Sequence, residues 1–258
     1  MRTFIYEFFI FGLKQAWACL FGVLLLALII VTSFIDWSTL PVSQYDVLFV
    51  GAILIQVMLM VFKLETPAET KMIILFHIVA TVMELFKTSP AIGAWAYPGE
   101  GIFFLGNVPL FAGFMYSAVG SYLARVWRIF DFQFNSYPPL WMTGVMAFLI
   151  YVNFFMHHFW YDLRYLLLAV VIFLFYRSWI YFRIDKVHRK MPLLVGFTLV
   201  AFFIWIAENI GTFTKVWLYP HQEAGWSLVG PEKMLAWFLL MIISFVMVSS
   251  VRQPKVVK

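Results

Sequence analysis

ELFKTSPAIGAWAYPGEGIFFLGNVP, residues 84–109, is apolar for most of its length yet cannot run as one helix. Pro90, Gly93, Pro98, Gly99, Gly101, Gly106 and Pro109 interrupt it, and prolines and glycines at that density punctuate rather than extend regular structure. It is also too greasy for a free aqueous loop. A related string, ENIGTFTKVWLYPHQEAGWSLVGP, occupies residues 208–231. Glu84, Thr88, Trp95, Tyr97 and Pro98 of the first copy are echoed by Glu208, Thr212, Trp217, Tyr219 and Pro220 of the second. Each copy then passes through a glycine to a proline that opens an apolar run, Gly106 and Pro109 in one, Gly230 and Pro231 in the other. A duplicated acid-plus-aromatic loop implies two half-sites that face each other.

The surroundings decide the class of protein. Of the 258 residues, 64% are hydrophobic and 12% charged, with a mean hydropathy of +0.90. Soluble domains carry about 25% charged residues, so the composition is that of an integral membrane protein. No signal-peptide cleavage pattern follows the N-terminal MRTFIYEFFIFGLKQAW, so the first apolar run is expected to remain. This opening segment suits a helix lying along the membrane interface. The single Cys19 excludes an intrachain disulfide and a cysteine-based metal site.

Apolar runs near the length of a membrane span fall at about 16–35, 47–63, 71–87, 108–126, 140–158, 162–181, 192–210 and 232–251. The expectation is an all-α polytopic protein: one membrane domain, 1–258, with eight transmembrane helices in two parallel four-helix repeats, about 1–130 and 131–258. Alternating crossings put fourteen basic residues on one side, from Arg2 and Lys14 to Arg252, Lys255 and Lys258. Only four, Lys87, Arg164, Lys215 and Lys233, fall on the other. By the positive-inside rule both termini are cytoplasmic, and the protein is expected in a bacterial inner membrane. The same asymmetry explains the net charge of +5 without nucleic acid as a partner. The basic stretch 183–190 is expected to touch anionic lipid headgroups. Both acid–aromatic loops, about 88–107 and 211–231, then lie on the outer side.

Ionisable groups within apolar segments usually face a bundle interior or a hydrated cavity. Glu84 and Glu208 are therefore the candidate catalytic pair. Trp95, Tyr97, Asn107, His77, Asn153, His157, Asn209, Trp217, Tyr219 and Glu232 are the candidate substrate-binding set. His77 and Glu84, seven residues apart, share a helix face, as do Asn153 and His157. A structural reading stands beside each assignment: the acids as braces for loop amides, the aromatics as an interfacial belt. His157 and His158 read as a boundary pair, because adjacent helical side chains point about 100° apart. Five histidines are too few for a histidine-box di-iron site. No metal and no cofactor is expected, and no phosphate-binding, dinucleotide, nucleophile-elbow or zinc signature is present.

Over nearly its whole length the chain resembles the YoaT-type family of bacterial membrane proteins, chiefly through ELFKTSPAIGAWAYPGEGIFFLGNVPLFAGFMYSAVGSYL. More distantly, Gly93-Ala-Trp95-Ala-Tyr97, Asn107-Val-Pro109-Leu110 and Pro231-Glu232 resemble motifs of the heterodimer-type lycopene cyclases and carotenoid hydratases. The chain departs from those motifs at Lys233 and Met234, where a further acid belongs, and it lacks a glycine before Trp217. That resemblance implies acid-catalysed cyclase- or hydratase-like chemistry on an isoprenoid-type ligand. A carboxylic acid would protonate a C=C bond, and aromatic faces would stabilise the carbocation. The alternatives are a proton-coupled transporter or ligand-binding membrane protein, and a membrane scaffold.

Overall fold

The computed structural model describes residues 2–256. Lys258, counted above with the basic tail, and the Arg2 side chain lie outside the described set. The chain is mostly helical: α1 (Arg2–Ala18), α2 (Leu20–Thr32), α3 (Gln44–Val61), α4 (Pro67–Lys87), α5 (Ala112–Ile129), α6 (Leu140–Met156), α7 (Arg164–Phe175), α8 (Leu193–Phe213) and α9 (Lys233–Arg252). Each expected apolar run overlaps one of the helices α2 to α9 for most of its length.

Helix and span are not the same thing. Among the described residues, α3, α8 and α9 are each long and apolar enough to cross a bilayer. A fourth crossing is added if α1 and α2, interrupted at Cys19, count as one. α7 has 12 residues, about 18 Å at 1.5 Å per residue, against a hydrocarbon core of about 30 Å. α4 carries Glu69, Lys71, His77, Glu84 and Lys87 within its length, which dilutes its hydropathy.

The strictly all-α expectation also misses some strands. The run expected to continue as helix to 181 turns at Ser178 into β4 (Trp179–Arg183). β4 pairs antiparallel with β5 (His188–Pro192), and β3 (Gln133–Asn135) lies on its other edge. Trp179-Ile-Tyr-Phe182 is β-branched and aromatic, a composition that suits a pleated, half-buried surface. The basic stretch 183–190 is the tip and second strand of this hairpin. Two residues each form β1 (Phe104–Leu105) and β2 (Val108–Pro109), so Pro109 ends a small hairpin and α5 starts three residues later.

The chain forms two compact units. One takes the residues up to Leu20, Tyr122–Phe203 and those from Glu232 on. Its core is an aromatic cluster: Phe245 lies 4.9 Å from Phe197 and 5.4 Å from Trp127, and Phe175 lies 5.5 Å from Phe197. Offset and edge-on rings at such distances contribute beyond their burial.

The other unit takes Phe21–Ser121 and Ile204–Pro231. Ile29, Tyr45, Leu48, Phe111 and Val216 form its buried centre, with Tyr97, Phe104 and Trp217 packed against it. Its helix starts follow sequence rules. Ser43 caps α3 by accepting from the Asp46 amide. Thr66 and Glu69 form a capping box around α4, with Pro67 where its missing N–H costs nothing. Asp46 then reaches across the sequence, and its carboxylate accepts from the amides of Ile102 (2.8 Å) and Phe103 (3.0 Å). The broken 98–104 segment is thereby tied to the start of α3.

Candidate functional site

Glu84 lies one turn before the end of α4 and is fully buried. After Thr88 the chain turns, with the amides of Ile92 and Gly93 both donating to the Ser89 carbonyl and Gly93 at φ +56°. The left-handed conformation there is what glycine permits. Trp95-Ala96-Tyr97 then leaves the turn extended. Alternate residues of an extended chain share a side, so the W-x-Y spacing aims both aromatic donors back at the helix end. Trp95 Nε1 and Tyr97 OH each donate to Glu84 Oε2 at 2.9 Å. Tyr116 OH, from α5, donates to Oε1 at 2.7 Å.

The second copy uses the same construction with a variation. Glu208, near the end of α8 and 2% exposed, accepts from Tyr219 OH. Trp217 does not repeat the bond that Trp95 makes. The six-membered part of its ring sits against Gly211, where an added Cβ would come within 1.9 Å of Trp217 Cη2. The corresponding position in the first copy is Lys87, three residues after its glutamate.

The two copies meet within this unit. The Ala96 amide donates to the Leu218 carbonyl and the Leu218 amide to the Ala96 carbonyl, both at 2.9 Å, an isolated antiparallel bridge. Trp95 consequently lies edge-on to Tyr219, ring centroids 6.3 Å apart. Each glutamate–tyrosine pair is attached to one strand of this bridge. Burial, and after it the Glu84 carboxylate, push the Tyr97 phenol well above its ordinary pKa. Burial and then Glu208 do the same to Tyr219. Both phenols stay protonated and donate to their acids.

The other expected site residues make contacts of their own. Asn209 is buried, and its Oδ1 accepts from the Val229 amide at 2.8 Å, holding the second loop with Trp205, which donates to the Val229 carbonyl. Asn107 is exposed on the β1–β2 turn, with Nδ2 3.4 Å from the Thr88 carbonyl. His77 lies two turns before Glu84, against the Phe114 ring at 4.6 Å and flush on Gly113. Asn153, His157 and Glu232 belong to the other unit. There Asn153 accepts from the Leu163 amide and His157 Nδ1 contacts the Asn153 carbonyl, while Glu232 is exposed at the start of α9.

Two members of the site lie outside the repeated motif. Tyr116 sits on a stripe of small and polar residues along α5, with Gly113, Ser117 and Gly120 at helical spacing. That stripe is the signal that would have found it. Tyr45 donates to the Val216 carbonyl at 2.7 Å and meets Tyr97 edge-on at 6.0 Å; nothing in its sequence neighbourhood marks it. Tyr45 also lines an open cleft of about 680 Å³ with Trp37, Asp46, Gly99, Ile102 and Lys215. Among the described residues no group of three or more His, Cys, Asp and Glu side chains is placed to hold a metal ion.

Apolar helices able to cross a membrane, and two buried glutamates whose aromatic loops are joined by one backbone bridge, define a membrane-associated helical protein with a paired acidic centre. The chain belongs to the family described as "Protein of unknown function (DUF817)", which it matches over residues 7–245. It is 41% identical over 245 residues to the uncharacterized protein YoaT of Bacillus subtilis (strain 168), covering 95% of this chain and 91% of that protein. No solved structure matches it.

Proposed function

We propose that this protein works in a bacterial inner membrane, both termini cytoplasmic, by proton exchange at Glu84 and Glu208 on a lipophilic, isoprenoid-type ligand. The observation that carries this reading is the Ala96–Leu218 bridge, which joins Glu84–Tyr97 and Glu208–Tyr219 in one unit. Two carboxyl groups in a shared aromatic setting suit an acid–base pair, one donating a proton while the other accepts. The repeated Glu-Tyr geometry is consistent with an ancient duplication, and the charge asymmetry supports the orientation.

A second reading, proton-coupled carriage of a ligand, is favoured by the donors around Glu84. Three N–H and O–H groups aimed at one carboxyl suit a proton acceptor better than a donor to carbon.

Apolar lipids extracted from cells expressing the wild type, Glu84→Gln or Glu208→Gln distinguish the readings. Acid–base chemistry predicts a lipid species present with the wild type and lost in both variants. An identical lipid profile in all three, with proton uptake into proteoliposomes lost in the variants, transfers the case to the carrier. Full activity of both variants in both assays removes the two glutamates from either mechanism.

A further inference from the structure

α1 is amphipathic in the opposite sense to a water-soluble helix, which turns its polar face to solvent. Glu7, Lys14 and Gln15 point inward. Glu7 takes a two-pronged ion pair from Arg189 of β5, with contacts of 2.8–3.1 Å. Lys14 Nζ donates to the Arg183 carbonyl at 3.0 Å, and Gln15 Oε1 accepts from Tyr122 at 3.0 Å. Phe11 fills the space between them against Phe130 (5.5 Å) and Phe182 (6.0 Å). Among the described side chains, the outward positions carry no charge. Phe4, Ile5, Phe8, Phe9, Leu13 and Trp17 follow the i, i+4 rows of one helix face and are 48–73% exposed.

A face of this size and composition is unstable in water. It continues in sequence into Leu20–Thr32, and the two helices together meet the length and hydropathy of a membrane segment. α1 itself is held against the β4–β5 hairpin through Glu7 and Lys14, and against α5 through Gln15. We infer that α1 lies in the plane of one leaflet, its Phe4–Trp17 face in the acyl-chain boundary, with the β4–β5 hairpin clamped to its inner side. The occupant of the face is lipid, and α1 serves as a membrane-surface anchor rather than as part of a crossing.

Spin labels test this in the full chain. Cysteines are introduced singly at Ile5, Phe9 and Leu13 on the outer face and at Ile10 on the inner face, in a Cys19→Ser background, and the protein is reconstituted into phosphatidylcholine–phosphatidylglycerol bilayers. A variant that folds poorly is replaced by its neighbour on the same face, Phe8 or Trp17. The expected result is a ratio of oxygen to nickel-chelate collisions several-fold higher at the three outer positions than for a water-exposed label. All three should report a similar shallow depth, with both collision rates low at Ile10. High nickel-chelate collision on the outer face would mean water. Low collision with both probes there would mean protein cover, such as a second copy. A depth increasing steadily from Ile5 to Leu13 would mean a crossing helix. Each of these three outcomes overturns the inference.

Discussion

Glu84→Ala is expected to destabilise the protein by about 4 kcal/mol, the sum of orphaned donors and a small void. Three groups donate to this carboxyl: Trp95 Nε1, Tyr97 OH and Tyr116 OH. The carboxyl itself is fully buried, so water does not readily replace the lost acceptor. A buried donor left without a partner costs about 1–3 kcal/mol, and three of them outweigh any relief from no longer burying an acid. Glu84→Gln keeps the shape and one strong acceptor oxygen, but turns an NH₂ toward at least one of the donors. It should cost less than the alanine, on the order of 2 kcal/mol. Equilibrium unfolding in mixed detergent micelles measures both. Equal stability of Glu84→Ala and the wild type would mean the three donors have other partners.

The second large effect is expected at Gly211. A Cβ there would stand 1.9 Å from Trp217 Cη2 and 2.3 Å from Cζ3. An indole is rigid, and this one packs against the centre of its unit beside Val216, so the ring must leave its seat. Overpacking of this kind costs about 1–3 kcal/mol, and the upper end is expected for Gly211→Ala. The loss should be specific to the ring. Trp217→Leu in the same chain removes the clashing atoms, so the double variant should be more stable than the sum of the two single changes by about 1–2 kcal/mol. Strict additivity would show that the glycine is there for backbone freedom and not for the tryptophan.

These two predictions separate what the sequence shows from what only the fold reveals. The repeat from Glu84 to Pro98 and from Glu208 to Pro220 is legible because both copies need the same local device. A helix end carries the acid, a turn follows, and an extended W-x-Y returns the aromatics to it. Helix positions are legible for a similar reason, since long apolar runs, one of them opened by Pro192, leave few other conformations. Tyr116 is hidden because its partner lies 32 residues away on another helix. Tyr45 is hidden further still, 171 residues from the carbonyl it bonds. The hairpin from Trp179 is disguised by composition, because aromatic and β-branched residues make both a greasy helix and a strand. The expected count of eight spans is not borne out at α7, which is short, or at α4, which is charged, although both are helices. Asn209 is legible as a buried polar side chain beside a candidate acid, but its bond to the Val229 amide, 20 residues away, shows only in the fold.

The central claim is that the two acid–aromatic loops meet through Ala96 and Leu218. Residues that exchange both backbone hydrogen bonds, as these two do, have Cα atoms about 5.5 Å apart, within the reach of a disulfide. Ala96→Cys and Leu218→Cys are combined in a Cys19→Ser chain, and the membrane-embedded protein is treated with a mild oxidant and digested. The account predicts one disulfide-linked peptide joining the segment around 96 to the segment around 218, formed at dilutions where no dimer appears. Two thiols that each react freely with a maleimide but never with each other would contradict it.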